Sequence, residues 1–574
     1  MRQTTTEQGK KPATDTEVQS SDHDEVQVYR DAIWREAQHV LGLMDREEFS
    51  PTLGCLDRTY WAWKFTDFPG ARFQEGLCFL GFLFGSAIDG NQYYQQPKLL
   101  DWIAGGFDFW IRIQRQSGDF DEAYPYERSL AATAFTTFYL AEAWNFLDGQ
   151  LPRETADRFK VCIERAGDWL IKNDESHGFL SNHLAAAAAA LYHVYRISGE
   201  VRFEARSRYF IEKILNHQSQ EGWYEEYSGA DPGYQTHGSF YLARILELSG
   251  EDPQLVESIE RSFKFLAHFI HPDGSIGGEY ASRNTQTYYP AAFEMFSKIN
   301  GTARWIADTM RPSVASLAAA GLGSVDAFNY FPLLNNYVFA YLACLRTSER
   351  AKPEAPSEQP GRHYFPEAGI LKVRSKRYDL FIGLTKGGVL KAFDRQQGRL
   401  VLNDCGYIGK LKNGGTLSSQ WLDKARTIDI TEDKAVIEGS FYKVDRPVLN
   451  PYSFLGFRTF SLTVGRLPRA SYWLKSLLVK VLIYRKRNLD LSFRREISFD
   501  QAEISIKDRI KGQIGNRVAS LKWMDVFTTV HMGSSRYFVP NELELSNEIS
   551  EVDSNLDIDQ LVRGVTLERK IRLD

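Results

Sequence analysis

Apolar residues recur at helical spacing through the first three fifths of the chain, and this pattern repeats. Glycine-containing turns interrupt the pattern at intervals of 60, 44, 52 and 49 residues, at Gly118, Gly178, Gly222, Gly274 and Gly323. Each interval has room for two helices, and the segments 151–171, 185–197 and 203–216 predict three of them. A repeating helix hairpin of about fifty residues predicts a solenoid or a closed ring, here with room for about five or six units.

A closed ring, the (α/α) toroid, would bring the irregular loops between hairpins to one rim, where they line a single cleft. We therefore predict a toroid domain over residues 26–350. Residues 1–25 are polar and contain no apolar run, so they predict a disordered tail rather than a secretory signal. This favours a cytoplasmic location.

The pattern changes after a segment rich in Pro and Glu, residues 351–362, which we interpret as a linker. Short alternating or β-branched runs then lie between Gly, Asn and Asp turns, at 370–374, 378–383, 427–430 and 434–438. Residues 363–574 therefore predict a strand-rich domain, an antiparallel β-sandwich. Within it, the segment 471–484 predicts a helix.

Composition excludes several classes of function. The net charge of -5 gives no nucleic-acid footprint, and the five scattered cysteines form no CxxC pair, so neither a zinc ribbon nor a disulfide framework is indicated. There is no phosphate-binding glycine loop, no serine-hydrolase elbow and no metal-ligand spacing, so we expect neither cofactor nor metal. Aromatic residues make up 13% of the chain, which indicates core packing first and sugar stacking second.

Two loop-to-helix junctions carry the candidate chemistry. The first runs from Gly178 to His183, and after Leu184 it is followed by six consecutive alanines, 185–190; Asn182 and His183 are its candidate residues. The second, 222–237, contains Tyr234 and, one helical turn later, His237. Uncharged donors and proton-transfer groups of this kind suit removal of a weakly acidic C–H proton beside a carboxylate. They suit two-carboxylate hydrolysis less well.

Both junctions also have purely structural interpretations. Ser181 or Asn182 is a preferred N-cap residue and would serve to start the alanine-rich helix. Tyr234 and His237 would then be ordinary packing residues in an aromatic loop.

Further polar side chains are candidates for substrate contacts. Arg283 is a candidate carboxylate clamp, or alternatively the partner of Glu279 in an ion pair that holds its loop. A lone histidine, His531, lies near a turn of the strand-rich domain. The complete set of substrate-binding candidates is Arg283, Glu279, Asn284, Tyr227, Glu122, Arg128 and His531.

One segment departs strongly from the average charge. Residues 466–495 contain nine Lys or Arg and a single acid, Asp490, a local charge of +8. Apolar residues alternate with the basic ones. The segment is either a solvated strand or helix face, or a peripheral contact with an anionic membrane.

The combination of an α-helical toroid, a C-terminal sandwich, Asn182-His183 at one helix start and Tyr234 about one hairpin later resembles the heparinase II/III-like polysaccharide lyases. The segments 121–129 and 277–284 resemble members from bacterial surface-polysaccharide gene clusters. The resemblance implies β-elimination on a uronate-containing oligosaccharide or polysaccharide. Asn182 and His183 would neutralise the uronate carboxylate or act as base, Tyr234 would act as base or acid, and His237 would support them or act as base.

Two other functions remain open at this point. A glycoside hydrolase on a helical barrel would pair Glu225 or Glu226 with Glu279 or Asp121. A saccharide-binding or assembly protein would keep the fold without catalysis.

Overall fold

The structure is a computed structural model. It describes residues 16–175, 178–250, 252–346, 349–444, 449–479, 487–527, 538 and 560–572.

The first part of the chain is helical. Its helices are α1 (Thr16–Leu43), α2 (Arg58–Trp61), α3 (Gly76–Gly85), α4 (Pro97–Ile113), α5 (Leu130–Leu147), α6 (Arg153–Lys172), α7 (Ser181–Ser198), α8 (Val201–His217), α9 (Pro232–Ser249), α10 (Pro253–Leu266), α11 (Ala291–Phe296), α12 (Gly301–Ser316) and α13 (Ala327–Arg346).

These helices form a closed double ring. The inner helices α3, α5, α7, α9, α11 and α13 pack against one another in that order, and α13 returns to α3. Helix α1 closes the outer side, where the Tyr29 hydroxyl donates to Glu294 Oε1 at 2.9 Å. Apart from α2, which has no buried residue, these helices bury their apolar faces in one continuous hydrophobic core. The predicted toroid is therefore confirmed, and six of the described helices form its inner ring.

The repeat is visible in the turns between hairpins. Gln114 Nε2 donates to the carbonyls of Gly118 and Cys162, and 104 residues later Gln218 Nε2 donates to those of Gly222 and Ser258. Both glycines have a positive φ. A Cβ at Gly118 would lie 2.2 Å from the Arg165 carbonyl oxygen, and one at Gly222 would lie 2.4 Å from that of Arg261. Only glycine fits at either turn.

Helix α7 shows why a run of alanines suits the inner ring. Residues 185–190 are all at most 1% exposed, because neighbouring inner helices and the outer helix α8 pack against the small side chains. The expected helices at 151–171, 185–197 and 203–216 correspond to α6, α7 and α8.

The second part of the chain is built of strands, apart from the short hairpin strands β1 (Glu225–Glu226) and β2 (Gly229–Ala230), which belong to the toroid. Its strands are β3 (Gly361–Phe365), β4 (Ile370–Arg374), β5 (Tyr378–Gly383), β6 (Val389–Asp394), β7 (Arg399–Asp404), β8 (Tyr407–Leu411), β9 (Thr416–Ser418), β10 (Thr427–Ile430), β11 (Lys434–Lys443), β12 (Asn488–Phe499), β13 (Glu503–Lys511), β14 (Val518–Trp523) and β15 (Val565–Arg572).

The strands form two antiparallel sheets. One has the order β3-β4-β5-β6-β7, and the other has the order β14-β8-β9-β11-β12-β13-β15 with β10 paired to β11. A core of alternating inward residues lies between them. The predicted antiparallel β-sandwich is confirmed, and β4, β5 and β10 have the predicted bounds. A further cluster, containing Trp223, Tyr280 and Phe381, joins the toroid rim to the sandwich.

A helical hairpin, α14 (Pro451–Leu462) and α15 (Pro468–Val479), is inserted between β11 and β12. The basic segment predicted at 466–495 is thus divided between α15 and β12. On β12, Arg494 pairs with Glu438, and Arg495 is buried between Asp404 and Asp508. These two arginines belong to the sheet, so the other seven basic residues of the segment lie N-terminal to them.

No helix among the described residues is both long and apolar enough to cross a membrane.

Candidate active site

A cavity of about 520 Å³ opens at one end of the helical ring. The helices α5, α7 and α9 begin at this cavity, and Phe328 and Asn329 reach it from the start of α13. Helix N-termini carry partial positive charge and unsatisfied N–H groups. The position therefore favours an anionic ligand.

The two junctions singled out in the sequence meet at this cavity. The candidates that line it are Asn182, His183, Tyr234, His237, Arg283, Tyr227 and Glu122. They come from four separate segments, so closure of the ring brings them together.

The start of α7 does not use its own side chains as caps. Its N-cap residue is Leu180, which makes no side-chain cap bond, and the Ser181 hydroxyl donates to the carbonyl of Glu225. The cap is supplied by Glu226, whose Oε1 accepts from the Asn182 N–H at 2.8 Å. The interpretation of Ser181 or Asn182 as the cap is therefore wrong. The Asn182 side chain lines the cavity, and its Oδ1 is buried without a hydrogen-bond partner among the described residues.

Glu226 is a buried carboxyl group beside the site. Burial raises its pKa to about 8, against the lowering effects of Arg283 and of the Asn182 N–H. The group is thus largely protonated near neutral pH, and it serves as a cap without adding a full negative charge to an anion-binding cavity.

His183 is oriented by a carboxylate that sequence reasoning missed. Its Nδ1 lies 2.6 Å from Oε2 of Glu175, whose side chain is 2% exposed. A carboxylate at Nδ1 selects the tautomer that carries the proton there, which leaves Nε2 as an acceptor. Glu175 lies in the loop just before the junction, eight residues from His183. This short separation in sequence was the signal that could have indicated the pair.

Arg283 lies between two tyrosine rings. Its guanidinium carbon is 4.2 Å from the centre of the Tyr227 ring and 4.4 Å from that of Tyr234. Asp231 fixes this arrangement, because its Oδ1 accepts from the Tyr234 N–H at 3.0 Å and its Oδ2 from the Arg283 N–H at 2.9 Å. The result is a cation held against the face of Tyr234.

Strained backbone collects in the loops around the cavity. Five of the nine described non-glycine residues with positive φ lie there, namely Tyr126, Arg128, Tyr227, Ser228 and Asn284. Such conformations cost about 1–3 kcal/mol each and cluster at functional sites. At Tyr227 and Ser228 the strain forms the turn that brings the Tyr227 ring to Arg283.

His237 lines the cavity but is only 2% exposed. Its ring stacks on Tyr289 at 4.1 Å, and its Nε2 lies 2.8 Å from the Tyr241 hydroxyl. Burial holds the pKa of His237 well below its usual value, and Arg72 and His183 lower it further. The imidazole is therefore neutral and held in place by its neighbours.

Arg72 is a second cation at the cavity, and sequence reasoning missed it as well. Its Nε donates to Glu75 Oε1 at 2.7 Å and its Nη1 to Glu122 Oε1 at 3.3 Å. Burial raises the pKa of Glu75 to about 7, against the pull of Arg72. Near neutral pH, Glu75 is therefore partly protonated, so Arg72 does not face two full negative charges from Glu75 and Glu122. Nothing in the local sequence around 71–75 distinguishes this arginine from a surface residue.

Other candidates are not brought to the cavity. Glu279 pairs with Lys391 at 2.6 Å, not with Arg283, and Asn284 Oδ1 accepts from Lys386 at 2.5 Å, so both join the toroid to the sandwich. Arg128 pairs with Asp119 and donates to the carbonyl of Arg466 on the inserted hairpin. His531 lies outside the described residues. Within the described residues, no group of three or more His, Cys, Asp or Glu is placed to hold a metal ion.

The helical domain matches a known family model. Residues 91–291 match the ulvan lyase N-terminal domain, a range that includes both junctions and Arg283. No curated protein sequence matches the chain significantly.

Solved structures of polysaccharide lyases share the fold at low identity. Xanthan lyase from Paenibacillus matches with a TM-score of 0.52 and 12% identity over 87% of this chain and 46% of that one. Chondroitin AC lyase from Streptomyces coelicolor A3, solved in complex with chondroitin sulphate, matches with a TM-score of 0.50 and 11% identity over 90% of this chain and 69% of that one. The chain thus spans less than half the length of the xanthan lyase. Together with the family model, these matches confirm the resemblance: the chain is similar to polysaccharide lyases that have a helical toroid followed by a β-sandwich.

Proposed function

We propose that this chain is a polysaccharide lyase that cleaves a uronate-containing glycan by β-elimination. One observation carries the proposal. A single cavity at the N-terminal ends of inner helices contains the side-chain amide of Asn182, a carboxylate-oriented imidazole on His183, and a phenol on Tyr234 beside a guanidinium.

The first requirement of β-elimination is neutralisation of the uronate carboxylate. The C5 proton is weakly acidic because the adjacent carboxylate is negative, and donors must stabilise the enolate-like charge that develops. The Asn182 side chain lines the cavity, where its Nδ2 is the proposed donor, and Arg72 and Arg283 supply positive charge to the same cavity. The bound sugar is therefore proposed to be acidic.

The second requirement is an acid and a base. His183, with its proton held at Nδ1 by Glu175, presents Nε2 as an acceptor and is the proposed base. Tyr234 is the proposed acid towards the leaving glycosidic oxygen, and the facing Arg283 stabilises the phenolate that results. His237 is proposed to hold the wall of the cavity rather than to transfer a proton.

A hydrolase mechanism has less support. None of Glu225, Glu226, Glu279 and Asp121 lines the cavity. Glu226 caps α7, Glu279 pairs with Lys391, and Asp121 accepts from the backbone N–H groups of Tyr126 and Arg128. These carboxylates are occupied in holding the fold.

The experiment that tests the proposal is incubation of the chain with uronate-containing polysaccharides while near-ultraviolet absorbance is recorded. A lyase leaves an unsaturated uronate that absorbs there, and a hydrolase leaves only a new reducing end. Saccharide binding by the wild type, without turnover on any of these substrates, would instead indicate a binding or assembly protein.

We also propose a cytoplasmic setting at the surface of an anionic membrane. All five cysteines are buried and unpaired, which fits a reducing compartment. The basic, apolar segment that follows residue 449 supports contact with a membrane.

A further inference from the structure

The inserted hairpin α14–α15 exposes several large apolar side chains. The small or polar side chains of Ser461, Ser471 and Lys475 are buried, at most 6% exposed. Large apolar side chains are exposed instead, by 87% at Tyr452, 65% at Leu455, 64% at Leu467, 61% at Tyr472 and 59% at Trp473. We call these five residues the apolar face. This concentration of exposed large apolar side chains in one hairpin indicates an interaction site.

The other side of the hairpin is fastened to the toroid. The Phe457 and Tyr124 rings lie 5.1 Å apart, and Arg458 Nε lies 3.4 Å from Asp67 Oδ2. The Ser471 hydroxyl donates to the carbonyl of Tyr126. The hairpin is thus held in one orientation, and the apolar face is the side that these contacts leave open.

The charge of the segment indicates what covers the apolar face. Residues 449–487 contain eight Lys or Arg and no Asp or Glu, a charge of +8 in a chain whose total is -5. The rest of the chain therefore carries -13. Two copies of the hairpin facing each other would bring like charges together, which disfavours a symmetric dimer through this surface. The surface that covers the apolar face must therefore be both apolar and anionic.

An anionic lipid bilayer meets both conditions. Tyr and Trp concentrate at the boundary between headgroups and acyl chains, and Lys and Arg lie beside them at the depth of the phosphates. Short helices with this composition lie in the plane of the interface and do not cross the membrane. We propose that the hairpin α14–α15 docks the protein onto a membrane containing anionic phospholipid, with the apolar face inserted at the headgroup boundary.

Docking would hold the cavity near the bilayer. The hairpin contacts the loop 121–129, which also supplies Glu122 and Glu127 to the cavity. If the proposed lyase function holds, on which this step rests, the substrate is a glycan displayed at the membrane surface. The docking itself does not depend on the chemistry in the cavity.

The test is flotation of the full chain with vesicles of phosphatidylcholine, alone or mixed with phosphatidylglycerol. We expect binding only to the mixed vesicles and loss of binding at high salt, because exposed charges are screened beyond about 8 Å at physiological ionic strength. The double substitution Tyr472→Ser and Trp473→Ser should weaken binding roughly tenfold or more, and Arg469→Glu by a similar factor. Matched controls, Phe49→Ser with Tyr94→Ser and Lys376→Glu, remove exposed aromatic and basic side chains elsewhere and should bind as the wild type does.

Absence of binding to the mixed vesicles at low salt would overturn the proposal, and so would equal binding by the Tyr472→Ser, Trp473→Ser variant. A wild-type dimer that this variant dissociates, without vesicle binding, would overturn it in favour of an interface between copies. Circular dichroism checks that the variants are folded. Turnover of a soluble acidic oligosaccharide should be unchanged in all of them, so failure of docking and failure of the lyase proposal give different results.

Discussion

The guanidinium carbon of Arg283 lies 4.4 Å from the centre of the Tyr234 ring, although 49 residues separate the two in the chain. Asp231 holds them there by accepting hydrogen bonds from the backbone N–H groups of both. This carboxylate is completely buried, and it also accepts from the Thr285 N–H at 3.3 Å. The position of the proposed acid therefore depends on a residue that does not reach the cavity.

Replacement of this buried anchor should affect stability and turnover together. Asp231→Ala removes the cap of α9 and leaves two further N–H groups buried without acceptors, so we expect a loss of about 2 kcal/mol or more in the free energy of unfolding. Turnover should fall as well, because the loop that carries Arg283 is released. Asp252→Ala is a matched control, since Asp252 also caps a helix before a proline, but among the described residues its side chain accepts only from the Leu255 N–H. Asp252→Ala should lower the free energy of unfolding by about 1 kcal/mol without changing turnover. Urea denaturation and steady-state kinetics measure both, and equal effects of the two substitutions would contradict the anchoring role.

Removal of the Tyr234 hydroxyl should abolish proton transfer to the leaving group. General acid catalysis contributes roughly a hundredfold to ten-thousandfold, so kcat of Tyr234→Phe should fall within that range while substrate affinity changes little. Tyr94→Phe, at a tyrosine 37% exposed away from the cavity, is the control and should retain wild-type rates. Wild-type turnover by Tyr234→Phe would exclude this phenol as the acid.

The pairing of Glu175 with His183 predicts a positioning effect. Glu175→Gln cannot stabilise the proton on Nδ1 in the same way, so we expect kcat to fall by roughly a hundredfold with KM nearly unchanged. The nuclear magnetic resonance signal of the Nδ1–H proton should move upfield. Asp174→Asn is the neighbouring control, because Asp174 pairs with Lys213. The role is refuted if Glu175→Gln leaves both the signal and kcat as in the wild type.

The raised pKa of Glu226 predicts how stability depends on pH. In the folded state Glu226 holds its proton up to a pKa of about 8, whereas the ordinary pKa of a glutamate side chain is 4.5, so the native state binds more protons between these pH values. Stability contributed by this group is therefore complete below the unfolded pKa and is lost as pH rises towards 8, by at most roughly 1.4 kcal/mol per pH unit. Glu226→Gln keeps an acceptor for the Asn182 N–H and cannot ionise. This substitution should therefore reduce the fall in melting temperature between roughly pH 5 and pH 8, the window that the two pKa values define.

Glu225→Gln, one residue earlier, should leave that pH dependence unchanged. A wild-type slope in Glu226→Gln would show that another group, such as Glu75, dominates the titration.

The periodic parts of the fold could be predicted because their signals are local. Apolar and polar residues alternate along the strand Ile370–Arg374, and a run of alanines predicts the helix that contains His183. Each element was therefore visible in a short window of sequence. The glycine turns also recur in the structure, because Gly118 and Gly222 face the same kind of backbone carbonyl in successive parts of the ring.

The site could be predicted only in part. Asn182, His183 and Tyr234 were visible because unusual residue types stand at helix starts. Arg72 was not, because its neighbours Glu122 and Phe135 lie 50 or more residues away and only ring closure brings them together. Glu279 and Asn284 were expected at the cavity, but lysines of the sandwich engage them, and a sequence does not show which domain face covers a loop.

The central claim, elimination rather than hydrolysis, is tested most directly by the mass of the products formed in heavy-oxygen water. The account predicts that the products of one cut add up to the mass of the substrate, carry no heavy oxygen, and include one unsaturated uronate. Products that together exceed the substrate by one water molecule, with heavy oxygen at the new reducing end, would contradict it.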